Sequence, residues 1–214
     1  MTLGSSVLAV NNPYDRGDMV AALGETTGTL ALKNMYQKMR ADPVGRTILM
    51  ERPRINTTTL NPTWLNNLPD ETFGKEYIKF METRGFISDE RPTVRFVDSE
   101  ELAYVMARYR EVHDFWHVLS GLDTSVLDEV ALKYFEFLQT GLPMCALSGL
   151  FGPLAMDFSS KVKLVKEYLP WVTRLSQQTP FLMNIYYEQH LTKPISLLRK
   201  EWGFTLPPPP ANKQ

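Results

Sequence analysis

Apolar residues recur at three- and four-residue steps through most of this chain, a spacing that predicts helices. The strongest run is Leu102, Val105, Met106, Tyr109, Val112, His113, Trp116 and His117, with Glu100, Glu101, Arg108 and Glu111 mostly on the opposite side. Asp98 followed by Glu101 reads as a capping box opening this helix just after Val97, and Gly121 reads as its stop. Thr124 or Ser125 caps the next helix, whose apolar face carries Val126, Val130, Tyr134 and Phe137, with Glu129 among them. A tight turn between the two would bring Glu129 back towards the histidines.

The same periodicity places further helices near Asp18–Leu23, Thr29–Arg40, Gly45–Glu51, Glu71–Arg84, Pro143–Leu150, Ser159–Gln177, Phe181–His190 and Pro194–Trp202. Strand signals are thin. Thr93–Val97 is the best of them, and Pro92 limits it. The stretch INTTTLNPTWLNN reads as a turn-rich connection and LPPPPANKQ as an extended or disordered tail. The expected architecture is all-α: a single-domain multi-helix bundle over residues 1–206, with a Pro-rich tail over 207–214 and no internal repeat or sustained heptad.

Composition narrows the function. At 214 residues the chain can bury a substantial single core, and 23 basic against 24 acidic residues give no electrostatic footprint for nucleic acid. The one cysteine, Cys145, excludes an intramolecular disulfide and sits in an apolar run as a small core residue.

The candidate chemistry lies at the junction of the two central helices. Of three histidines in the chain, His113 and His117 stand four apart and so share a helix face, with Asp114 about 100° round from His113. Glu129 follows His117 by twelve residues. Two imidazoles and two carboxylates suit a divalent first-row metal. The competing reading is a core hydrogen-bond pair, with Asp114 bound to Arg110 at i−4. Burying two histidines and two acids without a cation needs many compensating hydrogen bonds, which favours the metal. Zinc proteases use Glu where this chain has Asp114, di-iron bundles need a second acid-x-x-His, and a phosphohydrolase of the His-Asp type needs an upstream histidine that is missing here. A mononuclear site remains. His190 reads as structural, and Lys133, one turn after Glu129, is a candidate for pairing with it or steering a substrate carboxylate.

The HDFWH string with Glu129 resembles the His-Asp-x-x-His-x11-Glu signature of the fourth protein of coenzyme Q (ubiquinone) biosynthesis. MVAALGETTG, RADPVGRTILMERPRI, VRFVDSEELAYVMARYREVHD, QTGLPMCALSGLFGP and NIYYEQH are similar to stretches of the same family, so the resemblance spans nearly the whole chain. It implies a helical, matrix-facing peripheral protein of the mitochondrial inner membrane. It also implies a metal at His113, Asp114, His117 and Glu129: zinc first, with iron, cobalt or manganese as alternatives. The implied activity is metal-dependent oxidative decarboxylation at C1 of polyprenyl-hydroxybenzoate intermediates, coupled to hydroxylation there. The alternative is a non-catalytic lipid-binding scaffold that organises the biosynthetic complex. Other coenzyme Q proteins, the polyprenylated lipid and a second copy in a homodimer are the expected partners. TLGSSVLAVNNPYDRGD carries no Arg-rich presequence, so a chain trimmed to its mature domain, or a homologue that needs no such import, is expected.

Phe137 to Met156 holds no charged residue over twenty positions, but Gly141, Pro143, Gly149, Gly152 and Pro153 break it as a membrane span. It reads as core, or as an apolar groove in which Leu142, Met144, Leu147, Leu150 and Phe151 contact an isoprenoid tail. Arg40, Arg46, Arg52 and Arg54 form a loose basic cluster, either a solvated face or a contact for lipid phosphates.

Overall fold

A computed structural model describes residues 24–209. The helix expected at Asp18–Leu23 and the end of the tail lie outside them. In chain order the α-helices are α1 Thr29–Ala41, α2 Pro43–Glu51, α3 Pro62–Asn66, α4 Phe73–Arg84, α5 Glu100–Ser120, α6 Val126–Thr140, α7 Pro143–Phe151, α8 Phe158–Lys163, α9 Leu169–Gln178 and α10 Ile195–Glu201. The molecule is all-α, and no strand occurs among the described residues beyond an isolated bridge between Thr72 and Pro194. No helix among them is long and apolar enough to cross a membrane.

Helix boundaries follow local chemistry. Asp42 caps α2 by accepting from Gly45 N at 2.9 Å, with Pro43 in the first turn. Thr72 caps α4 and Ser125 caps α6. At α5 the cap is Ser99, which accepts from Leu102 N, and not Asp98. Gly121 ends α5 at φ 74°, and a Cβ there would lie 2.8 Å from Leu206 Cδ2. Gly85 is also left-handed, at φ 66°, but has nothing within 4 Å of its Cβ direction. Gly121→Ala is therefore expected to cost about 1–2 kcal/mol and Gly85→Ala less, as read by urea unfolding. Equal losses would mean that the Leu206 contact carries no weight.

Helix α5 is the axis of the fold. Fourteen of its 21 residues are buried, so it is enclosed on nearly every side. α1 and α4 pack against it, while α6 packs against α7 and α9. Phe115 meets Phe73, Tyr77 and Tyr187 at centroid distances of 5.0, 4.5 and 5.2 Å, forming an aromatic centre. Enclosure overturns the expectation that Arg108 and Glu111 face solvent. Arg108 is fully buried and forks onto Glu188, and Glu111 accepts from Arg54 and from Ile55 N. Each buried charge is tolerated because a specific partner meets it.

Two other expectations fail, and a third holds with a π-helical turn inside the helix, each for an identifiable reason. Thr93–Val97 is not a strand: the amides of Arg95 and Phe96 donate to the Glu25 carboxylate at 2.7 and 2.5 Å. The 159–177 helix is interrupted by a π-helical turn at Leu164–Tyr168, because Pro170 has no N–H to bond back one turn. Phe181–His190 is not one helix but two 3₁₀ turns, Leu182–Asn184 and Tyr187–Gln189. Tyr187 OH, fully buried, donates to Leu182 O and accepts from Trp116 Nε1, and this anchoring outweighs helix propensity. The stretch read as turn-rich contains α3, capped by Asn61 with Pro62 in its first turn.

A candidate metal centre

The 3.6-residue period stacks His113 and His117 on α5, where their rings meet edge to face at 4.8 Å. After Gly121 the chain reverses and α6 delivers Glu129 to the same point. Its Oε2 lies 3.1 Å from His117 Nε2 and its Oε1 lies 3.8 Å from His113 Nε2. One ligand atom from each of the three residues falls within 4.8 Å of the others.

The outer nitrogens are already committed. His113 Nδ1 is bound by the Glu136 carboxylate, and His117 Nδ1 faces Leu122 O at 3.2 Å. His117 also stacks on Phe80 at 5.2 Å. Anchoring both Nδ1 atoms leaves both Nε2 atoms aimed inward, which is how metal-binding imidazoles are oriented. The donor set therefore fits a divalent first-row cation. Glu129 is 30 % exposed and His113 21 %, so an outside ligand can reach the cluster.

Asp114, the fourth expected ligand, lies outside this group. Its carboxylate is bound by Arg91, whose guanidinium also donates to Ile55 O and Ser88 O. Asp114 is turned by about a quarter of the helix from His113, and Arg91 meets it there. The expected Arg110 partner instead bonds Glu25 and Pro92 O.

Lys133 sits 3.6 Å from Glu129 Oε1 and 2.8 Å from Glu136 Oε2, bridging the two acids. Glu136, fully buried, also accepts from Tyr109 OH at 2.6 Å and lies 3.4 Å from Cys145 Sγ. Glu136 and Arg91 were not foreseen. Glu136 had a visible signal, since Glu129, Lys133 and Glu136 stand at i, i+4 and i+7 on one face of α6. Arg91 had none, because it comes from a loop remote in sequence.

These groups set one another's protonation. Burial opposes the Glu129 and Glu136 charges, but Lys133 and the histidines outweigh it and hold both acids well below the usual carboxylate range. Burial pushes the Cys145 thiol up, with the Glu136 charge adding to it, so Cys145 is inert, as a small core residue should be. Burial and Lys133 push the His113 pKa down, yet Glu136 and Glu129 prevail and hold it above 6.5. Its imidazolium thus stabilises the metal-free fold below the ordinary pKa, a contribution lost as pH rises through the raised one. A metal competes with that proton. Apparent metal affinity should rise about tenfold per pH unit below the raised pKa and level off above it. Chelator competition between about pH 5.5 and 8.5 reads this, and a flat profile would remove His113 from the ligand set.

The apolar candidates do not share one environment. Leu142 and Met144 are in the core, while Leu150 and Phe151 are 63 % and 39 % exposed and Leu147 lies between.

Three comparisons with known proteins bear on this geometry. Residues 1–208 match the family described as "Coenzyme Q (ubiquinone) biosynthesis protein Coq4". The Homo sapiens "Ubiquinone biosynthesis protein COQ4 homolog, mitochondrial" is 47 % identical over 208 residues, covering 97 % of this chain and 78 % of that protein. The Nematostella vectensis protein of the same name is 48 % identical over 201 residues, covering 92 % and 96 %. A crystal structure from Nostoc punctiforme has a TM-score of 0.74 at 21 % identity, covering 94 % of this chain and 96 % of that one, a likeness of fold.

Proposed function

This chain belongs to the Coq4 family of coenzyme Q (ubiquinone) biosynthesis proteins, and on that premise we propose that its His113–His117–Glu129 centre carries out decarboxylation at C1 of a polyprenyl-hydroxybenzoate, coupled to hydroxylation there. The observation that supports catalysis is the partly exposed three-donor cluster with both Nε2 atoms aimed inward. Three protein donors leave a coordination position for an outside ligand, whereas a structural site is closed by four. Asp114 is the fourth donor only if it leaves Arg91.

A divalent cation held there supplies Lewis acidity towards a ring oxygen or the carboxylate. Zinc, iron, cobalt and manganese all accept imidazole and carboxylate donors. Glu136 fixes the His113 tautomer. Lys133 offers a positive charge beside the cluster to steer a carboxylate. Loss of carbon dioxide alone leaves a high-energy ring carbanion. Oxidation avoids it: the carboxylate, one water, one dioxygen and one proton give the phenol, carbon dioxide and hydrogen peroxide.

The relatives' names include the word mitochondrial, and we infer that this chain works there, peripherally on the matrix face of the inner membrane, as a homodimer among other coenzyme Q proteins. Leu150, Leu154 and Phe158, 63 %, 72 % and 81 % exposed, put three large apolar side chains in water within nine residues, which supports this contact. An isoprenoid tail is costly to expose to water, so its path runs over the same region, past Leu147, Leu150 and Phe151.

The test is a reconstituted reaction with labelled dioxygen or labelled water, comparing wild type with Asp114→Asn and Glu129→Gln. Each amide keeps side-chain shape and removes a charge. Wild type is expected to release the C1 carboxylate and to carry label at C1, and Glu129→Gln to lose at least about 100-fold in rate while still binding lipid. Equal product from all three proteins, or product formed without this one, would leave the non-catalytic lipid-binding scaffold as the function.

A further inference from the structure

The basic cluster following α2 has a use apart from the metal centre. The chain leaves α2 through Arg52, in left-handed backbone at φ 48° and ψ 50°. Arg52 and Arg54 line an open cavity of about 650 Å³, and Arg91 and Arg110 line it too. Its apolar wall is Ile55, Val94, Ala103, Tyr104 and Ala107. The volume lies within the roughly 300–1,000 Å³ usual for small-molecule sites.

The arginines fall into two pairs. Arg91 and Arg110 are fixed: Arg91 by Asp114, Ile55 O and Ser88 O, Arg110 by Glu25 at 2.7 Å and Pro92 O at 3.0 Å. Arg52 and Arg54 retain free donors. Arg54 gives only Nε to Glu111, and its two terminal nitrogens meet no acceptor among the described residues. Arg52 lies 3.7 Å from Glu100 and close enough to Glu101 to act on its charge, and makes no hydrogen bond to either. The two acids in the lining are already engaged, Asp89 by Thr57 and Glu111 by Arg54 and Ile55 N. The four arginines face five carboxylates, Asp89 and Glu111 in the lining and Glu25, Glu100 and Asp114 behind it, so the surroundings carry no net positive charge and what draws an anion is the set of open N–H donors on Arg52 and Arg54. Guanidinium groups with open forks recognise carboxylate and phosphate.

We propose that this cavity binds an organic oxyanion, a molecule with a small apolar body and a carboxylate or phosphate group. The apolar wall takes the body and Arg52 and Arg54 take the anionic group, while Arg91 and Arg110, each ion-paired, hold the wall in place. The site stands on α5 next to the metal centre, with Arg91 spanning from the cavity to Asp114. Occupancy does not depend on what the metal centre does.

The test uses the full chain and ligand titration by two-dimensional NMR at constant ionic strength, with chloride as the reference. Benzoate and phenyl phosphate probe a free small acid. Dihexanoyl phosphatidic acid probes a lipid headgroup, and inorganic phosphate probes the charge alone. Saturable shifts of cavity residues are expected at about millimolar concentration, with phenyl phosphate tighter than inorganic phosphate. Tighter binding of phosphatidic acid than of phenyl phosphate assigns the headgroup as the source, and the reverse assigns the small acid. Arg54→Gln should weaken binding about tenfold. Ala107→Phe, which fills the cavity without touching a charge, should abolish it, and metal stoichiometry should not change in either variant. Arg52→Gln, at a more loosely held residue, gives a second charge deletion if Arg54→Gln unfolds. No saturable binding, binding unaltered in the folded variants, or inorganic phosphate binding as tightly as phenyl phosphate would overturn the proposal.

Discussion

His117→Ala should lose most of its bound metal while keeping its helices. His117 gives one of three converging donors, and its ring is held by Leu122 O on one side and Phe80 on the other. Losing a direct ligand is expected to weaken affinity by more than the roughly 10–100-fold typical of outer partners. The helices should survive because α5 is fixed along its length by Val105, Met106, Val112, Phe115 and Leu119, all fully buried. Elemental analysis after dialysis against a chelator gives the stoichiometry, and circular dichroism gives the helical content. Unchanged stoichiometry in a folded His117→Ala protein would show that the three side chains form a hydrogen-bonded core cluster and nothing more.

The second large effect belongs to Glu136, which the cluster depends on without contributing a donor atom. Its buried carboxylate joins His113, Lys133 and Tyr109. Glu136→Ala leaves the Lys133 charge facing Glu129 alone and frees His113 to rotate, at a cost of about 3–5 kcal/mol in stability. Glu136→Gln keeps the shape and one acceptor, so it should fold. Its metal affinity should fall about 10–100-fold, because His113 Nδ1 loses its carboxylate partner. The acid limb of stability offers a separate check. The Glu136 pKa is held below the ordinary 4.5, so its charge stabilises the fold above that pH and the contribution is lost as pH falls through the depressed value. Glu136→Gln should flatten that limb. Full metal affinity in a folded Glu136→Gln protein would reduce Glu136 to a core hydrogen-bond partner.

Much of the site was legible because it is local. His113 and His117 are one helical turn apart, and Gly121 and Ser125 mark where the chain turns back to bring Glu129 round. Helical periodicity also located most helix bodies, since an amphipathic stripe is written in the order of residues. The tail-like apolar segment was harder: composition flagged Phe137 to Met156, but only packing separated Leu142 in the core from Leu150 on the surface.

The sequence by itself thus determined the all-α class, the Gly121 stop of α5, the start of α6 at Ser125, and the three donors that converge. Those depend on backbone period, caps and a glycine able to adopt positive φ, all properties of near neighbours. Only the tertiary structure decided that Asp114 belongs to Arg91, that Arg108 and Glu111 are buried, and that Glu136 orients His113. Each depends on a partner 23 to 80 residues away in the chain, as Arg91, Glu188, Arg54 and His113 are. A charged side chain shows no preference for core or surface until the group that compensates its lost hydration is in place, and the fold supplies that group.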